Sequence, residues 1–101
     1  MSELKNQISQ FIDTNAKTYQ DISLAIHAKP EVSDFEYFAS KTLSEQLKKE
    51  GFEIELPAAG HRTGFAATYK SNKPGPTVVF LAEYDALAGL GHGCGHNVFG
   101  A

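Results

Sequence analysis

The sequence predicts an α/β fold in which two N-terminal helices pack on a mixed or antiparallel sheet of about three strands. Two amphipathic stretches with apolar residues three and four positions apart come first, and the apolar period changes to two after Gly51. The connections between the later segments are too short for the crossover that a parallel pair needs, so neighbouring strands are expected to run antiparallel. With 101 residues, the chain has room for one small domain.

The two helices are predicted over residues 3–28 and 35–50. Ser33 and Glu36 form a capping pattern before the second helix, and Gly51 supplies the left-handed residue that ends it. Both helices have one apolar face, as expected for elements that pack on a sheet. On the first helix this face consists of Leu4, Ile8, Phe11, Ile12, Tyr19, Ile22 and Ile26.

Three strands are predicted after the helices, at residues 52–56, 63–69 and 77–82. In the first two, apolar and more polar or smaller residues alternate, which is typical of half-buried strands. The third is a continuous apolar run and is predicted to be a central strand that is covered on both faces. The segment 71–76, rich in proline and polar residues, is predicted to be a turn.

Composition and charge argue against several classes of partner. Nine basic residues against twelve acidic ones give a net charge of −3, and the absence of a basic stripe makes nucleic acid an unexpected partner. No apolar run approaches the roughly 20 residues that span a membrane, and the N-terminal residues do not resemble a secretion signal. We therefore expect no membrane association and a cytoplasmic location. The single cysteine, Cys94, cannot form a disulfide within the chain.

Residues suited to metal chemistry gather after the third predicted strand. Asp85 lies at the end of that strand, where ligands collect in open α/β sheets. The motif Gly91-His92-Gly93-Cys94-Gly95-His96-Asn97 then places one thiol and two imidazoles within five residues. Thiolate and imidazole suit zinc and other borderline divalent ions, and the flanking glycines would let Cys94 and His96 reach one ion.

Structural interpretations of the same residues stay open on spacing alone. Cys94 is by itself more often a small buried apolar residue than a ligand, and Asp85 is equally consistent with a turn former or helix cap. His92 is interpreted as a loop residue near the site, and Glu83 as a packing or solvated rim residue. Two competing functions remain: a thiol hydrolase with Cys94 as nucleophile and His92 or His96 as its base, and a non-catalytic binding module.

Two motifs within residues 81–97, Asp85-Ala86-Leu87 and Cys94-Gly95-His96-Asn97, resemble the metal-site region of the M20 metallopeptidase family, in particular its aminoacylase-like amidohydrolase branch. Residues 26–33 and 63–69 resemble the same branch, so the resemblance covers nearly the whole chain. It implies that residues 1–101 are the N-terminal part of a larger three-layer catalytic domain of the zinc-exopeptidase type, without the lid and dimerisation domain.

The resemblance also implies a site for two divalent metal ions, with zinc or manganese expected ahead of cobalt or nickel. Cys94 and His96 match two of the family's metal ligands. Asp85 matches the aspartate of the catalytic site that supports a ligand and orients the ion. Glu83 lies where other branches carry a ligand histidine, so no ligand role is transferred to it, and Ala88 stands where a proline is usual.

The reaction implied by the resemblance is hydrolysis of the amide bond of an N-acyl amino acid, a related conjugate or a dipeptide, so the expected partner is a small-molecule amide. In the family the general base, the remaining ligands and the lid follow the position that matches Ala101. The chain is therefore expected to be an inactive fragment whose third strand lacks a neighbour, and we expect it to be a homo-oligomer or to self-associate.

Overall fold

The structure is a computed structural model that describes residues 2–93 and 95–101, without the side chains of Ser2 and Phe99. Its elements follow the order helix, helix, strand, strand, helix. They are α1 (Ser2–Ala28), α2 (Tyr37–Lys49), β1 (Glu53–Glu55), β2 (Ala66–Thr68) and α3 (His96–Gly100). Two N-terminal helices against a small antiparallel sheet confirm the predicted α/β class. Within the described ranges, no helix combines the length and the apolar character needed to cross a membrane.

The ends of α1 and α2 agree with the predicted positions. Helix α1 stops at Ala28, two residues before Pro30, which cannot continue a helix. After α2 the chain turns at Gly51, whose φ of +95° is a conformation that a residue with a Cβ rarely adopts. The amide of Phe52 then donates to the carbonyl of Leu47 over 3.1 Å, which satisfies one of the last carbonyls of the helix.

The start of α2 differs from the prediction, because the cap comes from another residue. Glu36 occupies the N-cap position, but neither it nor Ser33 gives the helix a side-chain cap. Instead the carboxylate of Glu31 accepts hydrogen bonds from the amides of Phe38 and Ala39, each over 2.9 Å. One carboxylate thus satisfies two orphan amides and places negative charge at the positive end of the helix.

Strands β1 and β2 pair antiparallel, as expected for neighbours joined by a short connection. The register places Ile54 opposite Ala67, with Glu53 opposite Thr68. Both strands are shorter than the predicted segments, and helix α2 lies against both of them. The predicted sheet is therefore present with two strands instead of about three.

The prediction of a third, central strand at residues 77–82 is wrong for this structure. The segment forms no strand, and its four large apolar side chains from Val78 to Leu81 are 70% to 91% exposed. A continuous apolar run indicates a preference for burial on both faces, but a strand also needs a hydrogen-bonded neighbour. The part of the chain that the structure describes supplies neither that neighbour nor a layer over the run.

A small core joins the helices to the segment that leads into the site. Ile26 of α1 is fully buried, and it packs with Ala39 and Leu43 of α2. Tyr84 also packs against this cluster, and its hydroxyl donates to the carbonyl of Thr63. The backbone that carries the neighbouring acidic residues is therefore fixed from within the core. Ile22, Phe38 and Phe65 complete the cluster at its edge.

Candidate metal centre

The loop after Tyr84 is held by backbone hydrogen bonds at both of its ends. The amide of Ala86 donates to the carbonyl of Glu31 over 2.7 Å. The next residue, Leu87, exchanges backbone hydrogen bonds of 2.9 and 3.0 Å with Gly91, which closes a tight turn. Gly89 and Gly91 both have φ above +70°, and this turn therefore depends on residues without a Cβ. The turn brings the second half of the motif back towards Asp85.

Helix α3 presents His96 at its first residue and is anchored to α1 by the next one. Gly95, at the N-cap, has a φ of +83°, which redirects the chain into the helix. Asn97 is 6% exposed, and its Nδ2 donates to the carbonyl and the hydroxyl of Ser23 over 3.3 and 3.1 Å. A buried amide with both contacts on α1 fixes the first turn of α3, and with it the position of His96.

The centre of the site is an imidazole between two carboxylates. His96 Nδ1 lies 2.8 Å from Asp85 Oδ1 and 3.1 Å from the Asp85 carbonyl oxygen. On the other side of the ring, Nε2 lies 3.2 Å from Glu83 Oε2. Acceptors therefore lie on both sides of the ring, two at Nδ1 and one at Nε2, and this arrangement stabilises the protonated imidazole.

The three side chains form a donor set that fits a divalent cation. One donor atom from each of Glu83, Asp85 and His96 can be chosen so that all lie within 4.8 Å of one another. One imidazole nitrogen and carboxylate oxygens suit zinc, manganese and similar ions. The side chains of His96 and Asp85 are 25% and 31% exposed, and that of Glu83 is 64% exposed, so the donors are reachable from solvent.

Electrostatics differ between the two histidines of the motif. The hydrogen bond to Asp85, together with the charges of Asp85 and Glu83, raises the pKa of His96 above its ordinary value, although partial burial works in the opposite direction. Burial lowers the pKa of His92, and the neighbouring His27 and His96 lower it further, against smaller opposing effects of carboxylates nearby. His92 is therefore a neutral side chain near neutral pH.

Comparisons with known proteins find relatives over nearly the whole chain. No protein-family model matches the chain. It is 31% identical over 117 aligned residues to a component of the p-aminobenzoyl-glutamate hydrolase of Escherichia coli K12, an alignment that covers 99% of this chain and 24% of that protein. It is 33% identical to thermostable carboxypeptidase 2 of Saccharolobus solfataricus, over 96% of this chain and 27% of the relative. It is also 37% identical to mouse Xaa-Arg dipeptidase, over 94% of this chain and 24% of the relative.

These relatives are M20-family peptidases, and the alignments with them cover nearly the whole chain. It spans about a quarter of the length of the curated relatives that it matches. The M20 resemblance drawn from the two sequence motifs is thereby confirmed over nearly the whole chain.

The structure brings together part of the predicted site. Asp85 and His96, eleven positions apart, are in direct contact. Cys94, predicted as the other ligand, lies outside the described residues. Glu83, which was interpreted as a rim residue, faces His96 directly.

Two residues around the site, Glu31 and Asn97, have roles that the sequence analysis missed, and His92 is more buried than a loop residue was expected to be. Glu31 caps α2 with its side chain and holds Ala86 with its carbonyl, and no local pattern indicates either contact. Asn97 anchors α3 to Ser23. Its position directly after Cys-Gly-His in the motif could have indicated a role for it. His92 is 6% exposed, and neither of its ring nitrogens has a hydrogen-bond partner among the described residues. Its ring lies 6.2 Å from that of His27, at an angle of 32°.

Proposed function

We propose that the protein is a metal-dependent amidohydrolase that hydrolyses the amide bond of N-acyl amino acids, related conjugates or dipeptides. The names of the relatives support this substrate class. They are a hydrolase of p-aminobenzoyl-glutamate, a carboxypeptidase and an Xaa-Arg dipeptidase. All of these names refer to the cleavage of an amide bond to an amino acid. The proposal further holds that residues 1–101 form the N-terminal part of a cytoplasmic enzyme's catalytic domain and that the general base lies outside them.

The contact between Asp85 and His96 is the observation on which the proposal rests. A metal-binding histidine usually donates its other ring N–H to a carboxylate, which fixes the tautomer and makes the ligand nitrogen more basic. The 2.8 Å separation of Asp85 Oδ1 from His96 Nδ1 has this arrangement. We therefore assign His96 as a metal ligand through Nε2 and Asp85 as the residue that positions it.

Cys94 is the second ligand in this proposal, on the strength of its match to the family motif. A pair of divalent ions would supply Lewis acidity that polarises the substrate carbonyl and acidifies a water molecule. We expect these ions to be zinc or manganese in preference to cobalt or nickel. The residues of this chain contribute binding and orientation. Asp85 holds the Nδ1 proton, and Asn97 with Ser23 keeps the helix that carries His96 in place.

The test is hydrolysis by the protein at its natural length, before and after removal of metal by a chelator. The substrates are p-aminobenzoyl-glutamate, N-acetyl amino acids and dipeptides that end in arginine. We expect the chelator to abolish hydrolysis and zinc or manganese to restore it. Cys94→Ala and His96→Ala should each lose metal and activity, whereas His61→Ala, which changes an exposed histidine in another loop, should retain both.

Three outcomes would contradict the proposal in different ways. Unchanged metal content and activity in the Cys94→Ala protein would exclude the ligand role of this residue. Hydrolysis that survives the chelator, together with rapid alkylation of Cys94 at low pH, would instead indicate a thiol hydrolase. A protein that binds no metal and cleaves none of these amides would indicate a non-catalytic module.

A further inference from the structure

We infer that Glu83 is a metal ligand, which supplies a carboxylate oxygen to the same ion that His96 binds through Nε2. This inference rests on the metal site of the proposed function and extends it. The family motif assigns no ligand role to this position in the present chain. The assignment comes from the placement of the Glu83 carboxylate.

The distance between the two donor atoms matches the spacing of ligands around one ion. Zinc lies about 2.0 to 2.2 Å from imidazole nitrogen and carboxylate oxygen, and tetrahedral geometry then places two such ligand atoms about 3.3 Å apart. His96 Nε2 and Glu83 Oε2 are 3.2 Å apart. An ion can therefore bind both atoms without a change in the separation of the two side chains.

The two nitrogens of His96 face different carboxylates. Asp85 occupies the Nδ1 side with its side chain and its carbonyl oxygen, and Nε2 is the nitrogen that faces Glu83. A divalent cation that binds at Nε2 takes the place of any proton there, and the Glu83 carboxylate then coordinates the cation instead of accepting a hydrogen bond.

The two carboxylates therefore have different tasks. Asp85 is already engaged with Nδ1 and acts as a positioning residue, whereas Glu83 faces the nitrogen that coordinates. Both acidic side chains reach the same imidazole, one at each ring nitrogen.

Tyr84, between the two acidic residues, points the other way and fixes the segment. Its ring is stacked near that of Phe65, with centroids 6.1 Å apart, and its hydroxyl donates to the Thr63 carbonyl. The backbone on which Glu83 stands is thus anchored in the core, while the Glu83 side chain remains 64% exposed. The carboxylate is held near its ligand position and is open to an entering ion.

The experiment measures zinc and cobalt binding to the metal-free protein at its natural length. Zinc affinity is obtained by competition with a chromophoric chelator, and the visible spectrum of bound Co²⁺ reports its coordination. We expect Glu83→Gln to weaken zinc binding by about 100-fold or more, since even residues behind the ligands typically contribute 10- to 100-fold. The Co²⁺ spectrum should also change. Glu83→Asp should bind with intermediate affinity.

The matched control is Glu55→Gln, the same substitution at an exposed glutamate of β1. It should leave affinity and spectrum unchanged, and circular dichroism should show that every variant keeps its helices. If the unaltered protein binds no metal, the site of the proposed function is wrong as a whole. If it binds metal and loses it in His96→Ala, but Glu83→Gln retains the affinity or the Co²⁺ spectrum, only the assignment of Glu83 is overturned.

Discussion

Replacing Asp85 tests the positioning of His96 directly. Asp85→Ala removes both the hydrogen-bond acceptor and the negative charge from Nδ1 of the imidazole. Asp85→Asn removes the charge but keeps an oxygen that can accept the same hydrogen bond. Comparing the two variants therefore separates the effect of ring orientation from the effect of charge on the ligand nitrogen.

The expected magnitude follows from the geometry of the contact. The Oδ1 to Nδ1 distance of 2.8 Å is that of a strong, charge-assisted hydrogen bond. Loss of such a partner behind a metal-binding histidine typically lowers metal affinity by about 10- to 100-fold. We expect Asp85→Asn near the lower end of this range. Asp85→Ala should lie near the upper end, because its imidazole is also free to rotate.

The assay is zinc competition at constant pH, combined with NMR of the imidazole nitrogens in the metal-free protein. In the unaltered protein, His96 should carry its proton on Nδ1 when neutral, and in Asp85→Ala both tautomers should be populated. Asp13→Asn, at an exposed position of α1, serves as the control. Wild-type zinc affinity in Asp85→Ala, with the proton still confined to Nδ1, would refute this account of the site.

Three further predictions concern the scaffold and its exposed surface. Glu31→Ala should lower the free energy of unfolding by about 1 to 2 kcal/mol in denaturant melts, because two α2 amides lose their acceptor; an unchanged midpoint would contradict the cap. Ile26→Ala should cost about 2 to 5 kcal/mol in the same assay, and a loss below 1 kcal/mol would argue against its central place in the core. Phe80→Lys should reduce self-association in sedimentation experiments, because Phe80 is the most exposed large apolar residue of the run at residues 77–82. An unchanged distribution of monomer and larger species would exclude this run as the cause of self-association.

Much of the helical structure could be predicted because its signals are local. The 3.6-residue period located α1 and α2, and Pro30 and Gly51 located their ends. The start of α2 was mispredicted because its cap is not a neighbouring residue. Glu31 accepts a hydrogen bond from the amide of Phe38, seven positions further along the chain. Nothing in the residues next to the helix marks that contact.

The third strand shows a different limit of sequence patterns. The run at residues 77–82 is apolar enough for a central strand, but apolarity does not supply the hydrogen-bonded neighbours that define a strand. In the described chain these neighbours are absent, and Phe80 is 91% exposed. Whether such a run becomes a strand depends on other parts of a fold, which its own residues do not encode.

The sequence by itself determined which donor groups are present and which family motif they form. Residue type and spacing established Asp85 and His96 as candidates, and the comparisons then confirmed the resemblance to M20-family peptidases. Only the tertiary structure decided that Asp85 contacts Nδ1, that Glu83 faces Nε2 and that Asn97 anchors the helix beneath them. The physical reason is that donor chemistry belongs to single residues. The distances between donors depend on a glycine turn and on the packing of Tyr84, neither of which can be read from the donors themselves.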